Sequence, residues 1–190
     1  APYSLHKRMI TWQNDDTQFI IKSSRKFSIF DGANGKLKGV VQPKYRDFEY
    51  VHEVEQIDAD HFVVSLLDSG REYIGVLIGC NAQGDVLWER SDLLISSRSG
   101  GRLQRVWNNQ NLFVNANDGI HEFDPISGKD EDFFPLKSSA DDFVVNSQFI
   151  LARDRRTISL IEMSTKKVSV FEAPSRVEGM GLVPNSATAY

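Results

Sequence analysis

The residues that could hold a metal are few and scattered. His6, His52, His61 and His121 show no His-x-His or His-x-x-x-His spacing, and Cys80 stands alone. Structural zinc needs four ligands, usually drawn from closely spaced pairs, so this set predicts no metal site. The stretch DPISGKDED (124–132) gathers acids around a glycine, yet it lacks the alternating acidic positions and closing glutamate of an EF-hand loop. It reads as a solvated hairpin tip, with a weak calcium site as the alternative. Nucleophilic chemistry fares no better. LDSGRE (67–72) places Ser69 before a glycine without the Gly-x-Ser-x-Gly elbow. Asp60 and His61 read as a polar turn entering a strand, and SSRSGG (96–101) lacks the Lys-Ser/Thr ending of a phosphate loop. No catalytic residue and no cofactor is expected.

Residues suited to recognising a protein are easier to find. PKYRDFEY (43–50) concentrates Tyr45, Arg46, Phe48 and Tyr50, and SRSGGRLQRVW (97–107) concentrates Arg98, Arg102 and Arg105. Aromatic and arginine side chains outside a strand pattern are the usual anchors of interfaces. The same residues have a structural use, with the aromatics completing a core and the arginines solvated.

Composition sets the outer limits. Net charge is −4, from 22 basic and 26 acidic side chains, which argues against nucleic acid as a partner. A hydrophobic share of 41% with 25% charged residues is that of a globular chain able to bury a core. No apolar stretch approaches the roughly 20 residues a membrane-spanning helix needs, so direct membrane insertion is not expected. The opening APYSLHKRMI is too short and polar for a signal peptide, which leaves open whether a cleaved one preceded it. A lone thiol forms no internal disulfide, and it leaves the cytoplasm, the periplasm and the ER lumen all compatible.

The elements that would carry these residues repeat. FIIKSSRKFSIFDGANGKLKGVV (19–41), FVVSLLDSGREYIGVLIGCNAQGDVLWE (62–89), LFVNANDGIHEFDPISGKDEDFF (112–134) and FILARDRRTISLIEMSTKKVSVFE (149–172) can be laid on one another. Each has an apolar triplet, a second apolar run, a turn rich in Asn, Asp and Gly, and a third run. A strand candidate precedes each, at 8–16, 50–60, 102–111 and 141–148. Helix fits poorly, because no segment sustains apolar residues at i, i+3, i+4 and i+7; SDLLISSRSG (91–100) alone allows one helical turn, in a loop. Short strands at this spacing signal a sandwich, barrel or propeller, and four strands per unit of 40 to 45 residues is the propeller value.

The hairpin turns explain the repeat. A terminal Gly supplies positive φ, while Asn or Asp bonds back to its own backbone. The fourth turn, EMSTKK (162–167), lacks Gly and is expected to be longer or bulged. Trp88, Phe133 or Phe134, and Phe171 follow the turns and are expected to pack between neighbouring sheets.

The pattern strand–turn–Gly-x-x-x-Trp, clearest in NAQGDVLWE, resembles the PQQ-like (quinoprotein-type) β-propeller repeat, with DPISGKDEDFF and DGANGKLKGVV as weaker versions. WD-like repeats are the related alternative, but the Gly-His and Trp-Asp dipeptides of that family are absent. The resemblance implies an all-β propeller of about four four-stranded antiparallel blades, at 8–42, 48–90, 102–136 and 141–173, in one domain over 1–190. Residues 176–190 would begin a further blade or close the ring, so the chain is either a closed four-bladed disc or part of a larger propeller. Four-bladed discs of the hemopexin type are clasped by a disulfide that Cys80 cannot form, which favours the larger ring. The function expected is a non-catalytic scaffold for protein–protein contact in a larger assembly, with a homodimer through edge strands as one form of contact. An enzyme, or a ligand- or metal-binding domain with its site in the central channel, is the alternative.

Overall fold

The computed structural model describes residues 10–12, 17–46, 48, 50–67, 74–96, 101–106, 110–177 and 179–182. Every helix or strand among them is a strand. The first sheet holds β1 (Ile10–Trp12), β2 (Gln18–Lys22), β3 (Phe27–Asp31) and β4 (Leu37–Val41). The second holds β5 (Tyr50–Gln56), β6 (His61–Leu67), β7 (Ile74–Asn81) and β8 (Val86–Ser96). The third holds β9 (Leu103–Arg105), β10 (Leu112–Asn115), β11 (Gly119–Phe123) and β12 (Asp130–Pro135). The fourth holds β13 (Asp142–Val145), β14 (Phe149–Asp154), β15 (Thr157–Glu162) and β16 (Lys167–Glu172). Each is an antiparallel meander in sequence order.

A strand sends alternate side chains to opposite faces, so a sheet covered on both sides reads as a continuous apolar run. Phe62 and Val64 of β6 join Ile20, Phe27 and Ile29 of the first sheet, while Val63 between them joins Leu112, Val114 and Phe123 of the third. Phe113 and Ile120, on the other face of the third sheet, meet Phe143, Ile150 and Ile161 of the fourth. Three seams therefore join the four sheets face to face in chain order. The leading strands approach one another, β5 with β9 and β9 with β13, which puts them innermost.

The turns follow local chemistry. Asp31 Oδ1 accepts from the amides of Ala33 and Asn34 at 3.0 and 3.1 Å, and Asn81 Oδ1 accepts from Gln83 and Asp85 at 3.0 and 2.8 Å. Gly35, Gly84 and Gly128 end their turns at φ of 69°, 82° and 71°. All three of these hairpins shift register near the turn. The fourth reverses the expectation that it would be longer or bulged. Lys166 takes the left-handed position at φ 55°, and β15 pairs with β16 without a shift. A tight turn needs one residue at positive φ, and a lysine supplies it here at a cost glycine would not incur.

Two other expectations need correction. Residues 91–96 form no helical turn; they prolong β8, because Leu93 and Ile95 alternate into the seam between the second and third sheets. Phe171 does not lie between sheets. It is 54% exposed on the face of the fourth sheet turned away from the third.

Candidate functional site

The connection from β4 to β5 passes over the β7–β8 hairpin. The Lys44 amide donates to Gly84 O at 2.7 Å, and a Cβ on Gly84 would lie 2.1 Å from Gln42 O, so only glycine allows this approach. The pinned loop turns Phe48 into the first seam, where it is buried. The Arg25 guanidinium donates twice to Phe48 O, at 2.9 and 2.8 Å, and lies over the Phe48 ring. Tyr50 packs against the second seam. Tyr45 is half-buried against the first seam and donates its hydroxyl to Glu89 at 2.8 Å. Burial raises the Tyr45 phenol pKa, and the Glu89 carboxylate adds to that. Arg46 is exposed beside it. Lys44 and Asp85, 2.6 Å apart, complete a polar rim, and Asp85 is held below the usual carboxylate range by hydrogen bonds from Lys44 and Asn81.

The arginines of the second stretch go elsewhere. Arg102 forms an ion pair with Asp142 of the fourth sheet. Arg105, on β9, acts on Glu55 of β5; burial raises that carboxyl to about 7, against the opposing pull of Arg105, with Glu53 adding to the rise. Arg98 and Ser69 lie outside the described residues. The two stretches therefore do not form one site. Tyr45 and Arg46 make a rim patch, Phe48 and Tyr50 belong to seams, and Arg102 and Arg105 join the inner edges of sheets.

Two ionic contacts are hard to see from sequence. Lys22 Nζ donates to Glu53 at 2.8 Å and to His52 O at 2.7 Å, with both side chains nearly covered. Arg90 bridges Asp92 (2.7 Å) to Asp130 of the third sheet (2.9 Å) and reaches Gly128 O at 2.9 Å. Burial pushes Asp130 up, yet Arg90 and His121 together hold it below the usual range. A basic residue flanked by acids, as in WERSD (88–92), was the available signal for Arg90; nothing local pairs residue 22 with residue 53. Among the described residues, no group of three or more His, Cys, Asp or Glu is arranged to hold a metal ion.

Beside Arg90 lies Trp88, whose indole donates to Pro125 O at 3.0 Å and meets the Phe123 ring edge-on. It lies on Gly79 of its own sheet and against Gly128 of the next, where added Cβ atoms would come within 2.2 and 2.6 Å of the indole. The Gly–Trp phrase is thus a clamp between successive sheets.

Solved structures share this arrangement. BamB from Moraxella catarrhalis superposes with a TM-score of 0.60 at 14% identity, over 86% of this chain and 52% of that one. The Neurospora crassa Pan2 WD40 domain gives 0.61 at 12% identity, over 90% and 52%. The C-terminal WD40 domain of Sif2 gives 0.58 at 15%, over 90% and 46%. This is a β-propeller fold. Its four blades are the four meanders, each with its first strand innermost, and they span about half the length of the solved propellers they match. No protein-family model and no curated protein matches the chain in sequence.

Proposed function

We propose that this propeller is a non-catalytic scaffold that binds a protein partner within a larger assembly, in the style of the PQQ-like repeat its Gly–Trp phrase resembles. The observation that carries the reading is the rim patch of Lys44, Tyr45, Arg46 and Glu89. An amphipathic tyrosine and an exposed arginine are held there by a loop that glycine pins to the neighbouring hairpin. Rigid presentation of such side chains lowers the entropy lost on binding. What supports this reading over a ligand site at the axis is the pairing of the inner-strand charges. Glu53 answers Lys22, and Asp142 answers Arg102.

The test is quantitative affinity purification with the unaltered protein and the double variant Tyr45→Ala, Arg46→Glu. Specific co-purifying proteins should be lost with the variant while its melting temperature is kept. A partner set indifferent to the two changes would overturn the patch as the binding surface.

A further inference from the structure

The far face of the fourth blade is built like a face that receives another blade. In the first blade Lys22, at the end of β2, reaches forward to His52 O on the innermost strand of the second. In the third blade Asn115, at the end of β10, donates to Ala140 O, on the approach to β13, at 2.8 Å. Arg153 holds the same position near the end of β14, on the same face, and donates to Val177 O. The route out of the blade also repeats. Leu136, just after β12, donates to Asp118 O in the β10–β11 turn at 3.0 Å. Ala173, just after β16, donates to Arg156 O in the β14–β15 turn at 2.9 Å. The chain then runs on through Val177, with Gly181 buried and Leu182 in a β-bridge.

We infer that Val177 and residues 179–182 stand where the innermost strand of a fifth blade stands, and that the fourth blade's far face is the docking surface for the rest of it. The occupant is a three-stranded antiparallel meander whose inward face is apolar, supplied from outside these 190 residues. Its counterpart face carries Val144, Leu151, Ile158, Leu160 and Phe171, with Ser169 opposite Leu160 and the Glu162–Lys167 pair toward the β15–β16 turn. A second copy of the chain does not fit. Its first blade already has an innermost strand, β1 paired to β2, which would compete with residues 179–182 for one position. The solved propellers matched over about half their length contain that much further chain.

This inference is independent of the rim patch, which lies between the first two blades. The experiment is photo-crosslinking from p-benzoylphenylalanine placed at 171, in the protein as its own cells make it, with adducts mapped by mass spectrometry. Position 37, on the exposed face of the first blade, serves as the comparison site. Adducts from 171 are expected on alternate apolar residues of a strand outside residues 1–190. Adducts on residues 10–41, from the same chain or from a second copy, would overturn the inference, because the face would then close on the first blade. An absence of adducts would also overturn it, since the face would lie in water. Phe171→Asp supplies the second readout. The purified 190-residue chain should melt like the unaltered one, while recovery of the protein from its cells should fall several-fold; unchanged recovery would count against a docked blade.

Discussion

The second and fourth blades make an instructive pair. Both are four-stranded meanders whose central strands, β6 and β14, are buried, yet the outermost strand β8 sends Leu93 and Ile95 into the seam with the third blade whereas β16 is exposed along almost its whole length. The second blade has a neighbour on either side, and Trp88 crosses its outgoing seam to reach Pro125. Among the described residues the fourth has a neighbouring sheet on one side only, and Phe171 points from the other. A propeller blade is a two-sided apolar object, and its stability is lent by the sheets that cover it.

The largest effects should come from uncovering a seam. Phe113→Ala, fully buried between the third and fourth blades, should cost about 3–5 kcal/mol in urea unfolding, whereas Phe171→Ala should cost under about 1 kcal/mol. Equal costs would erase the distinction between seam and free face. Lys22→Met leaves Glu53 without its buried partner and should cost about 3 kcal/mol, while Lys44→Met at the exposed rim should change stability by under about 1 kcal/mol.

A seam should also show itself in pH. The Glu55 carboxyl, raised to about 7 from 4.5, favours its neutral form in the folded chain, so the folded state binds the extra proton between those values. Stability from this group is therefore full below pH 4.5 and is lost as pH rises toward 7, by up to about 3 kcal/mol. Glu55→Gln should flatten that slope in denaturant titrations at pH 5 and pH 8, and an unaltered slope would assign it to other groups.

The smallest contrast lies in the turns. Gly35→Ala and Gly128→Ala both place a side chain at positive φ, at roughly 1 kcal/mol each. Only Gly128 has the Trp88 indole 2.6 Å from the added carbon, whereas Gly35 has open space. Gly128→Ala should therefore cost more and shift Trp88 fluorescence, which Gly35→Ala should leave unchanged. Matching spectra would mean the indole yields without loss.

Much of this architecture was legible in the chain. Runs such as FVVSLL announced strands, and Asp, Asn and Gly at 31–35, 81–84 and 124–128 marked three hairpins. The fourth hairpin was misread because absence of glycine suggested extra length, when Lys166 can occupy the same left-handed well. The alternation of Leu93 and Ile95 was hidden in the sequence because a register shift in β8 breaks the strand's uniform period. The rim patch was half legible: PKYRDFEY stood out, but only packing separated Tyr45 and Arg46 at the surface from Phe48 inside it.

Strand, turn and repeat are consequences of neighbours along the chain, since side-chain alternation and φ preference act over a few residues, and the amino-acid sequence alone determined them. Which charge meets which, as Lys22 meets Glu53 or Arg90 meets Asp130, depends on how sheets stack, and residues 31 and 40 positions apart find each other only in three dimensions. The same holds for the faces. Ile20 and Phe171 are equally apolar as letters, and only the presence of a neighbouring sheet made one of them core and left the other exposed.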